Sequence, residues 1–144
     1  MNEVSIFYDH PTPPIIENNL KSLCREVLIS EGFEKYSLSI IFVDDEKLKK
    51  MKKKYFNQDL YTDVIAFNLS DDKSKLDGEI YISFDAIKIN SELYKTNINN
   101  ELQRIVVHGI LHLMGYEDNT KDKKEEMTKT EDFFLLNFQQ FNLL

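Results

Sequence analysis

Residues 105–118 read IVVHGILHLMGYED. At about 100° per residue, positions four apart on a helix lie on one face roughly 40° apart, so His108 and His112 project together. Ile105, Val106, Val107, Ile110, Leu111, Leu113 and Met114 occupy nearly every other direction, and a helix apolar all round is a buried one. Two imidazoles on it need partners, because an unpaired buried polar group is costly. For either histidine alone, a bond to backbone or to a carboxylate in the core is the simpler reading. A pair at i, i+4 in a chain with only 3 His points instead to metal ligation.

The residues that follow fit that reading. Gly115 stands three positions past His112, where a glycine can take the left-handed conformation that ends a helix and turns the chain. Such a turn can return Asp118 toward the metal. Two histidines and a carboxylate leave a fourth position open, which is a catalytic rather than a structural zinc arrangement. The single cysteine, Cys24, also argues against a structural zinc site.

Outward from this helix the chain reads as α+β, a mixed sheet of about four strands packed by helices. Val4–Tyr8, Ser37–Val43, Thr62–Leu69 and Glu79–Ser83 have strand patterns, with Ser70–Asp77 as a long exposed loop between the last two. Ile16, Leu20, Leu23, Val27 and Leu28 fall on one face of an early helix. Asp44 or Asp45 can cap a second helix ending near Tyr55. Later helices are expected over Asp85–Tyr94, Asn100–Met114 and Asp122–Phe141. Cys24 reads as core, and Phe133, Phe134 and their neighbours as packing of the last helix.

A chain of 144 residues, 42% hydrophobic and 30% charged, fits one domain over 1–144. No run of about 18 apolar residues suggests a membrane span, and the N-terminus lacks the pattern of a signal peptide. With one cysteine, a cytoplasmic setting is expected. A net charge of -7 argues against nonspecific coating of nucleic acid. Yet KLKKMKKK, residues 47–54, holds six lysines, which is either a solvated helix face or the edge of a phosphate-binding groove.

The spacing H-x-x-x-H-x-x-G-x-x-ligand is the metzincin pattern, but Gly109 stands where those proteases carry a catalytic Glu. The wording HGILHLMGYED instead resembles the YbeY family of bacterial endoribonucleases, with signature HGxLHLxGYxH. TDVIAF at 62–67, GEI at 78–80 and the Met127–Glu131 segment match further, so the resemblance covers roughly Asp44 to Leu136. It implies a zinc-dependent endoribonuclease specific for single strands, with one Zn2+ per chain. Its partners would be ribosomal RNA and the ribosome or ribosome-associated proteins, in 3′-end maturation of small-subunit rRNA and in ribosome quality control.

Two departures from the family pattern bear on the site. Asp118 replaces the third histidine, and aspartate oxygen is a competent zinc ligand; Glu117 or Asp122 are the alternatives if the turn is shaped differently. Phe56 replaces an Arg, so Lys52, Lys53 or Lys54 would have to supply the positive charge, without bidentate geometry. Thr62 and Asp63 are either substrate-facing, by resemblance, or a turn and cap. The general base is unassigned, with Glu117 or an unligated Asp118 nearest in sequence. A metalloprotease, disfavoured by Gly109, and a non-catalytic ribosome-associated zinc protein are the competing functions.

Overall fold

A computed structural model describes residues 2–144. Along the chain run β1 (Glu3–Tyr8), α1 (Glu17–Ser30), β2 (Lys35–Val43), α2 (Asp45–Phe56), β3 (Val64–Asn68), β4 (Lys75–Ser83), α3 (Phe84–Leu93), α4 (Ile98–Leu113) and α5 (Lys121–Asn137). The strands form one mixed sheet in the order β1-β2-β4-β3. β1 and β4 each pair with β2 in parallel, and β3 closes the edge antiparallel to β4. This is the expected α+β class.

Alternation along the strands divides the sheet into two faces. Leu38, Ile40 and Phe42 of β2, with Leu76, Ile80 and Ile82 of β4, face the main core beneath α1, α3, α4 and α5. Ile41, Val43 and Tyr81 face the other way, where Leu48 and Met51 of α2 cover them with Ile65 and Phe67. Asp44 caps α2, accepting a hydrogen bond from the Lys47 amide at 2.7 Å. Among the described residues, no helix is long and apolar enough to cross a membrane.

Several expected boundaries move, three of them with a clear packing cause. Lys75–Asp77 belong to β4 rather than to a loop, because they pair with Lys35–Ser37 of β2 and continue its register. Thr62 and Asp63 precede β3, which starts at Val64. The last helix ends at Asn137, not at Phe141, because the tail after it is held by other elements. Gln103 donates to the Phe141 carbonyl at 2.8 Å, and Asn99 Oδ1 accepts from the Leu143 amide at 2.7 Å. The Leu143 carbonyl in turn accepts from the Ile16 amide at 2.8 Å, with the Leu143 side chain fully buried.

α4 packs directly on β4, and a glycine on each partner leaves room for the contact. A Cβ at Gly109 would stand 2.9 Å from Ile80 Cγ2, and one at Gly78 would stand 2.7 Å from Leu113 Cδ1. Position 109 therefore faces the sheet, and no carboxylate can be accommodated there. Gly109→Ala should lower stability by about 1 kcal/mol in chemical denaturation. Overpacking against the stiff, buried Ile80 outweighs the ~1 kcal/mol gained in helix propensity. A gain in stability would show that the helix has room to lift.

Candidate metal centre

The C-terminus of α4 is a Schellman motif. The Tyr116 amide donates to the Leu111 carbonyl at 3.0 Å and the Gly115 amide to the His112 carbonyl at 3.1 Å. Gly115 takes φ +101, a conformation open to glycine and strained for other residues. This turn does two things for the histidines. It brings the Tyr116 carbonyl to His112 Nδ1 at 3.1 Å, and it carries Asp118 back over the helix end.

His108 is fixed from the other side. Its Nδ1 lies 2.6 Å from Glu131 Oε2 on α5. Glu131 is buried, and its second oxygen accepts from Arg104 at 3.0 Å; Arg104 sits one turn before His108 and also reaches Asp132 at 2.7 Å. Because each Nδ1 faces an acceptor, each Nδ1 carries the proton, and the Nε2 atoms are the lone-pair donors. These two atoms face one another across 3.0 Å. Burial, and then the neighbouring His108, hold His112 below the usual imidazole range and so favour its neutral form.

The two Nε2 atoms face one another at a separation that a bound cation would bridge. Asp118 Oδ2 supplies the third donor, 3.8 Å from His108 Nε2 and 3.6 Å from His112 Nε2. A tetrahedral metal with bonds of about 2.0–2.1 Å needs ligand separations near 3.3 Å, so the triad fits a metal ion after small adjustments. The group opens into a cavity of ≈ 470 Å³ that Lys52, Phe56, Thr62, Asp63 and the edge strand β3 also line.

A family model described as "Endoribonuclease YbeY" matches residues 8–139. The chain belongs to the YbeY family. It is 44% identical to "Endoribonuclease YbeY" of Cytophaga hutchinsonii over 69% of this chain and 71% of that one. It is 30% identical to the protein of that name from Treponema denticola, over 99% and 97% respectively. Its fold is also similar to the solution structure of a Thermotoga maritima protein, with TM-score 0.61 at 24% identity over 96% and 93% of the two chains.

Within this YbeY chain the cavity sorts the residues singled out from sequence. His108, His112 and Asp118 converge, and Asp122 is outside their group. Lys52, Thr62 and Asp63 line the same cavity, whereas Lys53 and Lys54 do not. Glu117 points elsewhere: it accepts from Lys123 at 2.7 Å, an ion pair that lowers its pKa, and lines a separate depression. Asp63 is largely withdrawn from water, which pushes its carboxyl above the usual range despite a 3.3 Å hydrogen bond from Asn90. Sequence spacing missed Glu131 as the partner of His108, since 23 residues separate them.

Purified protein should carry about one metal ion per chain, lost in His108→Ala and His112→Ala. Glu131→Gln should retain the ion but bind it roughly 10–100-fold more weakly in a competitive chelator titration, because the His108 ring loses its charged acceptor. Undiminished affinity in Glu131→Gln would mean that α4 alone orients the ring.

Proposed function

We propose that this protein is a zinc-dependent endoribonuclease that cleaves single-stranded RNA, and that residues 1–144 act as one catalytic domain. Family membership supports RNA as the substrate. The observation that carries the reading is the convergence of two imidazole nitrogens and one carboxylate oxygen on a cavity that also holds Lys52. Two nitrogens and one oxygen are a donor set suited to zinc, and three protein ligands leave a position open to substrate. Bound there, zinc supplies a Lewis acid that polarises a phosphodiester and makes water nucleophilic at neutral pH.

The chain's own groups supply the rest. His108, His112 and Asp118 hold the metal, while Glu131 and the Tyr116 carbonyl keep the two rings aimed. Lys52 offers a point charge to the RNA backbone where it enters the cavity. We assign the proton of the attacking water to Asp63, the other carboxylate that lines this cavity, and burial moves its pKa toward the range useful to a general base. With Glu117 engaged by Lys123 and Gly109 packed on Ile80, neither the nearest acid in sequence nor the protease position serves that purpose. The biological setting we infer is cytoplasmic maturation of the small-subunit rRNA 3′ end and ribosome quality control, in contact with the ribosome or its associated proteins.

Zinc-loaded protein should cut single-stranded RNA and spare duplex RNA and casein, whereas His112→Ala prepared identically should not cut. Equal cleavage by both would remove the nuclease assignment. Asp63→Asn should keep its zinc yet lose about 10²–10⁴-fold in kcat. A protonated Asp63 cannot accept a proton, so the wild-type rate should climb as pH rises through its elevated pKa. That limb should be missing from the pH profile of Asp63→Asn, and its persistence there would assign the base elsewhere.

A further inference from the structure

Beside the histidine cavity, the end of α2 and the segment after it leave three aromatic rings in solvent. Tyr55 is 56%, Phe56 43% and Tyr61 59% exposed. They are nevertheless fixed from below. Phe56 stacks on Phe67 at 5.8 Å and Tyr55 meets the same ring edge-on at 5.2 Å. The Tyr61 hydroxyl donates to Glu46 at 2.6 Å. Each exposed ring carries an ammonium over it: Lys49 over Tyr61 at 4.4 Å, Lys52 over Phe56 at 4.8 Å and Lys54 over Tyr55 at 5.2 Å.

We propose that Tyr55, Phe56 and Tyr61 are a stacking platform for unpaired nucleobases, with Lys49, Lys52 and Lys54 moving from the rings to the backbone phosphates on binding. The proposal rests on the RNA reading above and deepens it by assigning where the strand lies. Rings held by their neighbours lose little freedom when a base stacks on them. A single strand offers one π face and one phosphate per nucleotide, so each ammonium displaced from a ring meets a phosphate, whereas among the described residues only Lys49 of the three already has a carboxylate near it, Asp59 at 3.9 Å. An apolar peptide on the same rings would displace three ammoniums and neutralise none. Phe56 and Lys52 also line the histidine cavity, so a base stacked on Phe56 places its adjoining phosphate at the triad's mouth. Bases paired in a duplex have no free face for the platform.

The test uses intact protein with zinc and short oligoribonucleotides, mixed by stopped flow before cleavage accumulates. One oligonucleotide carries all its bases, a second has three consecutive abasic sites, and a third carries 2-aminopurine, whose fluorescence reports stacking. Wild type should bind the complete strand at least about tenfold tighter than the abasic one, the effect of a stacked base. It should also quench 2-aminopurine. A Phe56→Leu, Tyr61→Leu double variant, with its fold checked by circular dichroism, should lose both signals while keeping the salt dependence of binding. Neutralising Lys49, Lys52 and Lys54 to Gln should flatten that salt dependence and keep the base preference. Equal wild-type affinity for complete and abasic strands, alongside cleavage, would overturn the platform alone. Absence of both binding and cleavage would overturn the RNA reading as well.

Discussion

Two imidazole nitrogens held 3.0 Å apart, each with its ring proton committed to an acceptor on the far side, impose the constraint around which this fold is arranged. Left neutral and facing, the lone pairs repel. A cation between them would convert that repulsion into ligation, with Asp118 completing the set. Rings on a loop could swing apart to avoid the clash. These cannot, because α4 is buried between the sheet and three other helices, with Val106, Val107, Ile110 and Leu111 inaccessible to solvent. Burial of the helix therefore supplies the rigidity that a preformed metal site requires.

That burial depends in turn on how close α4 comes to β4. Gly109 on the helix and Gly78 on the strand remove the side chains that would hold the two apart. With the helix seated, one turn of α4 carries Arg104 and the next His108, and both reach Glu131 of α5. On the other sheet face α2 is anchored by Leu48 and presents its lysines outward. The edge strand β3 lies between these two layers, so the cavity has imidazoles on one side and Lys52 and Phe56 on the other. The Lys52 and Phe56 side chains and the His108, His112 and Asp118 triad are brought together by packing on opposite faces of one short strand.

Much of this was legible from residues near one another in sequence. The i, i+4 histidines, Gly115 and Asp118 obey helix and turn geometry, which is local, and the structure realises each of them. The α+β class followed from strand periodicity in the same way. Contacts set by tertiary packing were not legible. Glu131 belongs to another helix, and nothing in its spacing ties it to His108. Glu117 looked available only because its partner Lys123 lies six residues on, in the first turn of α5. The extent of β4 and the end of α5 depend on pairing with β2 and on docking of the C-terminal tail, both distant in the chain. Phe56, read from sequence as a lost positive charge, stands in the structure as one of three rings with a lysine over each.

Zinc K-edge X-ray absorption of the loaded protein tests the central claim most directly. The first coordination shell should contain two imidazole nitrogens and carboxylate or water oxygen at about 2.0–2.2 Å. A shell containing the Cys24 sulfur, or oxygen alone, would contradict it.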